Sequence, residues 1–359
     1  MIIGVPKEIK NHEYRVALTP SNAKILIDLG HKVIIEASAG INAGFEDSEY
    51  AKVGAVIIDD KRKIWGDSDL IVKVKEPIRE EYGLLREGQK LFTYLHLAAS
   101  KECTKALIDS KVDAFSYETL EINSKLPLLA PMSEIAGKLA GQIAAHYLLR
   151  PNGGTGKLIG GVPGVKPVKS IVIGGGIVGI GAARVLHGMG SEVTVFDINE
   201  DKLSQIRDLF RGEVKTVFSS KENIQEELGS GDIVVGGVLI PGRKAPKIIG
   251  QEELKLIKDR SVLVDVAIDQ GGCFEGSKPT THDEPTFFHE GKLYYCVANM
   301  PGSVPVTSTL SLTNKTIQYV RLLASASTDE VVDRHPELLT SLNVKSGEIV
   351  NKEVKDSYF

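Results

Sequence analysis

Three cysteines in 359 residues, Cys103, Cys273 and Cys296, lie far apart and form no CxxC pair. Such scarcity leaves them as buried or incidental thiols of a reducing compartment rather than catalytic or metal-binding ones. The eight histidines show no HxxxH or other ligand spacing, which speaks against a histidine-built metal site. Nowhere do about 18 apolar residues run together, so no membrane-spanning helix is expected. The N-terminus, MIIGVPKEIK, has no apolar stretch long enough for a signal peptide, and the expected place is the cytoplasm. Neither sign of charge prevails: 43 Lys and Arg face 47 Asp and Glu, and the basic cluster Lys61-Arg62-Lys63 directly follows Asp59-Asp60. Nucleic acid and anionic membrane are therefore not expected as partners.

What the chain does have is Ser170 to Asp197, SIVIGGGIVGIGAARVLHGMGSEVTVFD. A β-branched run, a glycine turn, an apolar run at helical spacing and a second β-branched run follow one another there. Gly174, Gly176 and Gly179 stand where a side chain would obstruct the turn, an approaching phosphate or helix-on-strand packing. The pyrophosphate of a dinucleotide would meet N–H groups at the helix N-terminus. Asp197 closes the second strand about 18 residues after the last motif glycine, near the spacing of a ribose-binding acid. A carboxylate there accepts ribose hydroxyls and repels a 2′-phosphate, which points to NAD rather than NADP.

The chain is long enough for two domains. Residues 1 to about 128 alternate strands and helices, the pattern of an α/β domain with a largely parallel sheet. Met132 to Leu149 carries small residues at helical spacing and reads as a closely packed helix bridging two domains, with Ser133 as N-cap. Gly153 to Gly164 is a glycine-rich connection; Leu158 and Pro151 stand where a P-loop needs Ser or Thr and Gly. Further β/α units follow through Val264, then a short strand at Leu293 to Cys296 and a helix from about Pro305 to Ala326. The last part reads as a polar stretch and a tail. The expected fold is two Rossmann-like domains with mostly parallel sheets, residues 129–300 binding NAD and inserted into a discontinuous substrate domain of 1–128 plus 301–359.

Polar residues at strand ends are the candidates for chemistry, because ligands of open α/β sheets collect outside the carboxyl ends. Arg15, with its planar fork, suits a carboxylate or a surface ion pair. Lys75 suits a carboxylate or carbonyl, or a solvated strand end. His96 closes KLFTYLH and is a natural proton carrier at neutral pH, or a structural histidine. Glu118 ends another strand, and Asp265 and Asp269 lie near one rim in VDVAID. Asp269 suits orientation of a substrate or water, or a helix N-cap.

Taken together, these segments resemble the alanine dehydrogenase family, which also contains the first domain of the proton-translocating nicotinamide nucleotide transhydrogenase. The resemblance rests on Gly4-Val5-Pro6-Lys7-Glu8 with Glu13, Arg15-Val16-Ala17 and Thr19-Pro20, on Pro131-Met132-Ser133-Glu134, and on Gly160-Gly161-Val162-Pro163-Gly164. It continues through the glycine turn, VAIDQGG at 266–272 and VANMPGSVPVTST at 297–309. It implies reversible NAD-dependent oxidative deamination of L-alanine to pyruvate and ammonium, in a homo-oligomer that is commonly a hexamer. It assigns Arg15 and Lys75 to substrate binding, His96 to acid/base work and Asp269 to orienting the attacking water or ammonia. Besides the turn glycines, the implied cofactor contacts are Ser133, Asp197, Lys202, Ser219, Val238, Leu239, Val266, Ala267, Ile268, Asp269, Val297, Ala298, Asn299 and Met300.

Some residues depart from the family pattern. His12 stands where Asn is usual, Asn22-Ala23 replace Gly-Val, and Val178 adds bulk in the glycine turn. A histidine that pairs with Glu118 as a metal ligand in some members is absent from the final helix, which reads LLASAS, so no metal is expected. A transhydrogenase-like role fits least, because those proteins generally lack the strand-end histidine and this chain has no following membrane part. A related amino-acid or opine-type dehydrogenase, or a non-catalytic NAD-binding protein of the same fold, are the other readings.

Overall fold

β-branched and aromatic residues gather in short runs that become strands, and residues at helical spacing fill the segments between them. The computed structural model describes residues 1–238 and 245–358, with only the backbone described at Ala99, Ser357 and Tyr358. In chain order the strands are β1 (Ile2–Val5), β2 (Lys32–Glu36), β3 (Val56–Ile58), β4 (Leu70–Val72), β5 (Lys90–Thr93), β6 (Asp113–Ser116), β7 (Lys169–Ile173) and β8 (Glu192–Asp197). They continue as β9 (Lys215–Phe218), β10 (Ile233–Gly236), β11 (Val262–Asp265), β12 (Thr286–His289), β13 (Lys292–Tyr295), β14 (Leu342–Lys345) and β15 (Glu348–Ile349). The chain divides into two compact units, Met1–Met132 with Pro301–Phe359, and Ser133–Met300. Among the described residues, no helix is long and apolar enough to cross a membrane.

The first unit holds one sheet in the order β15-β14-β6-β5-β4-β1-β2-β3. Its six N-terminal strands are parallel, so their order reverses direction between β1 and β4. Leu70, Ile71 and Val72 of β4 are all fully buried, as expected where helices cover both faces of a parallel sheet. Thr19 starts the helix Pro20–Asp28 with a capping box to Asn22, so the substituted Asn22 serves the helix start. The long helix Pro305–Ser325 belongs to this unit. Val16 N donates to Thr309 Oγ1 at 3.2 Å, and the buried Lys90 Nζ donates to the carbonyls of Leu323, at 2.7 Å, and Ala326, where the helix ends. A cation there satisfies carbonyls that a helix terminus leaves without partners.

The second unit holds one sheet in the order β12-β13-β11-β10-β7-β8-β9, parallel except for β12. Its order reverses between β7 and β10, the doubly wound arrangement of a dinucleotide-binding domain. The helix Ala130–Tyr147 packs onto the helix Ile177–Gly188 through small residues. A Cβ on Gly137 would overlap the Val178 carbonyl, and one on Gly141 would lie 2.8 Å from the Val185 Cβ.

Three features differ from the sequence reading. The helix starts at Ala130, so Ser133 lies inside it and does not cap it. The stretch after Ala326 is not merely a tail: β14 joins β6 antiparallel, with Leu342 opposite Phe115, and pairs with β15. β12 likewise adds an antiparallel edge, with Phe287 opposite Tyr294. β12 and β15 are short edge strands of mixed polarity with little periodicity, and β14, which has β15 on its other side, finds its partner β6 more than 200 residues away.

Candidate active site

In the first unit, the loops after β1 and β4 meet where the strand order reverses, the place where open α/β sheets bind ligands. The loop after β1 carries Glu8, Glu13 and Arg15; the one after β4 carries Lys73 and Lys75. Arg15 is only 2 % exposed. Its Nε donates to Glu13 Oε1 at 2.7 Å and its Nη2 to Glu13 Oε2 at 2.6 Å, while Nη1 lies 3.0 Å from Met132 Sδ. Burial would raise the Glu13 carboxyl, but Arg15, with Lys75 adding to it, holds it down to about 2. Glu13 is thus an ionised clamp that orients the guanidinium. Lys75 is buried too, so neither a surface ion pair nor a solvated strand end describes these two cations.

Carboxylates gather the N–H groups that follow neighbouring strands. Glu8 Oε1 accepts from Val74 N at 2.6 Å and from Lys75 N at 3.5 Å, and Glu8 Oε2 lies 3.2 Å from Lys73 Nζ. Lys73 also donates to Glu81 at 2.8 Å, forming a buried Glu–Lys–Glu triad centred two residues before Lys75. One strand over, Glu118 binds the backbone of Leu95 and His96. His96 has left-handed backbone angles, φ 48° and ψ 40°, a conformation costing about 1–2 kcal/mol outside glycine. Its ring stacks on Tyr94 with centroids 5.8 Å apart, and Tyr94 Oη is fixed by the Leu128 carbonyl at 2.7 Å. Burial would raise Glu76, yet Lys75, Lys10 and, less strongly, His96 hold it below the usual carboxylate range. Lys75 and His96 therefore act electrostatically on one carboxylate, as Arg15 and Lys75 act on Glu13.

In the second unit, the three motif glycines divide the work of the turn. Gly174 has φ 103° and packs against the Gly237 backbone, a Cβ on Gly176 would meet only open space, and one on Gly179 would overlap the Gly174 carbonyl. Only glycine fits the first and third, and at the second the protein backbone is open to close approach by a ligand. No side chain caps the helix Ile177–Gly188 that starts there. Asp197 Oδ2 accepts from Gly175 N at 2.7 Å and Oδ1 from Asn199 N at 2.8 Å, with Lys202 Nζ 4.0 Å away. Val178 points towards Gly237, lying 2.9 Å from where a Cβ there would stand, so its extra bulk fills space that the glycine leaves. Substituting Gly179 with Ala is expected to cost about 3 kcal/mol, the upper range for overpacking, and to lower the thermal midpoint. An unchanged midpoint in scanning fluorimetry would refute this packing account.

Asp265 ends β11 and is almost fully buried. Its carboxylate accepts from Ala267 N at 3.2 Å, Cys273 N at 2.9 Å, Phe274 N at 3.1 Å and Ser277 Oγ at 2.6 Å. Asp265, not Asp269, caps the short turn Val266–Gln270, and Asp269 is exposed upon it. Ser219, Val238, Val266–Asp269 and Val297–Met300 follow β9, β10, β11 and β13, so they share the carboxyl edge of this sheet with the glycine turn. Leu239 lies outside the described residues.

Residues 4–136 match the alanine dehydrogenase/PNT N-terminal domain, and residues 140–352 match its C-terminal domain. The chain belongs to the alanine dehydrogenase/PNT family. It is 50 % identical over 359 residues to the alanine dehydrogenase of Halomonas elongata, covering 100 % of this chain and 97 % of that one. To the alanine dehydrogenase of Mycobacterium tuberculosis it is 49 % identical over 355 residues, covering 99 % and 96 %. A solved L-alanine dehydrogenase superposes with a TM-score of 0.96 at 44 % identity, covering 100 % of this chain and 99 % of that one. A transhydrogenase from Sinorhizobium meliloti shares the fold, with a TM-score of 0.82 at 24 % identity over 98 % and 99 % of the chains.

Within this alanine dehydrogenase/PNT frame, the structure brings Arg15, Lys75 and His96 to one sheet edge and the dinucleotide fingerprint to another. The supporting carboxylates Glu8, Glu13, Glu118 and Asp265 were named in the sequence without these tasks. Their signal is faint: an acid at or beyond the end of an apolar strand.

Proposed function

We propose that the chain is an NAD-dependent alanine dehydrogenase, converting L-alanine reversibly to pyruvate and ammonium, and that it works in the cytoplasm as a homo-oligomer. The observation that carries this is that Arg15 and Lys75 follow the two strands at one strand-order reversal and His96 follows the next strand of the same edge, in a chain whose other sheet bears a glycine turn with room at Gly176. That turn, together with the carboxylate of Asp197, fits NAD: the helix N-terminus suits its pyrophosphate, and Asp197 its ribose hydroxyls. When bound, NAD accepts a hydride from the alanine Cα.

The protein's own groups would do the rest. Arg15, held in plane by Glu13, binds the substrate carboxylate and so aims the Cα–H, an effect of orientation. Hydride leaves alanine in its free-amine form, the ammonium proton having passed to solvent, and an iminium remains. Asp269 orients the attacking water, His96 takes the first proton the water gives up and returns it to the nitrogen, and as the C–N bond breaks and ammonia leaves the same ring takes the hydroxyl proton and the carbonyl forms. Lys75 stabilises negative charge building on the carbonyl oxygen.

A spectrophotometric screen of amino acids with NAD and NADP tests this reading. NADH should form with L-alanine at alkaline pH; turnover with another amino acid alone would overturn the substrate while keeping the class. Asp197→Ala should lower the preference for NAD over NADP by about tenfold or more, since a hydrogen bond to a charged group contributes about 1.5–3 kcal/mol. An unchanged ratio removes Asp197 from cofactor selection.

A further inference from the structure

We propose that Glu118 is a positioning residue whose side chain, acting as a hydrogen-bond acceptor, holds the backbone of His96 in the conformation that presents the imidazole. The proposal rests on the acid/base role given to His96 above. Glu118 follows β6, and His96 follows the neighbouring β5, so the two loops leave the same edge of adjacent parallel strands. Glu118 Oε1 accepts from His96 N at 2.6 Å, and both carboxylate oxygens lie 3.2 Å from Leu95 N. Two successive amides thus converge on one side chain that is only 15 % exposed. They converge at the residue where the chain enters the left-handed region, a conformation that persists only where its surroundings impose it.

The ring is aligned by the same backbone. It stacks on Tyr94 at 6° between planes, and its Nδ1 stands 3.9 Å from Glu118 Oε1, too far for a direct hydrogen bond. Glu118 therefore reaches the imidazole through the main chain rather than through the ring nitrogen. Among the described residues, no group of three or more His, Cys, Asp or Glu side chains is placed to hold a metal ion. The geometry points to an acceptor of the right length, and a negative charge is not what it requires.

Two variants separate length from charge. Glu118→Gln keeps the length and a carbonyl oxygen but loses the charge. Glu118→Asp keeps the charge but draws the oxygens back by about 1.5 Å, out of reach of His96 N. Glu118→Gln is expected to hold kcat within about threefold of the parent. Glu118→Asp should lower kcat by about 10–100-fold, the scale of an ångström-sized misplacement, with KM for NAD within about twofold in both. Hydrogen–deuterium exchange of the peptide containing Leu95 and His96 should quicken in Glu118→Asp alone. Equal kcat in the two variants, a higher kcat in Glu118→Asp, or equal exchange would overturn the proposal. A parent protein that turns over no amino acid would retire the proposed function, while the exchange comparison would still decide whether Glu118 holds this backbone.

Discussion

Replacing His96 with Ala is expected to lower kcat for alanine oxidation by about 10²–10⁴-fold, the usual weight of a general acid–base group. Imine hydration and ammonia release each need a proton moved, and an imidazole, with one ring nitrogen that gives a proton and one that takes it, can do both. The side chain is 35 % exposed and rests on Tyr94 rather than filling a core, so its removal leaves little cavity and the fold stays intact. The residue lies on the first unit and the glycine turn on the second, so NADH affinity should stay within about twofold by fluorescence titration. A variant with near-normal turnover would remove the acid/base role. A variant that lost NADH binding as well would show that the change had reached beyond the ring.

A second large effect is expected in stability. Lys73 is 1 % exposed and lies between Glu8 and Glu81. Lys73→Met keeps the apolar stem but strands both carboxylates, which should cost about 3–5 kcal/mol, the penalty for breaking a buried pair from one side. Burial pushes Glu8 up to about 7 from an ordinary 4.5, with Lys73 pulling against it. A carboxyl raised on folding stabilises the folded state fully below its unfolded value, and that contribution is lost as pH rises through the folded value. Without Lys73, Glu8 is pushed higher, so the variant should be hurt less at pH 6 than at pH 8. Urea unfolding followed by Trp65, the single tryptophan and a buried residue of the same unit, reads this directly. A loss below about 1 kcal/mol, or one independent of pH, would show that the triad does not carry this load.

Why one part of this protein is legible in its sequence and another is not follows from the range of the interactions involved. The order of β/α units, the turn at Gly174 to Gly179 and the acid at Asp197 are written locally. Apolar spacing selects strand or helix within a few residues, and the Gly174 backbone angle and the closeness of Gly179 to the Gly174 carbonyl admit only glycine. The same local rules identified Arg15, Lys75, His96 and Asp269 as polar residues at strand ends, without saying whether each was buried, paired or solvated. The helix starts at Ala130 and runs through Ser133, whose capping preference is only a local signal.

By itself, then, the sequence determined the succession of elements, the dinucleotide fingerprint and the kinds of side chain available for chemistry. Only the tertiary structure decided that the loops of Arg15 and Lys75 share one strand-order reversal, that β14 closes onto β6 from more than 200 residues away, and that Glu13, Glu8, Glu118 and Asp265 hold Arg15 and the backbone about Lys75, His96 and Asp269. The physical reason is that a carboxylate binds whichever N–H groups the folded sheet brings within about 3 Å. That choice of partner depends on strand order and burial, neither of which local spacing records.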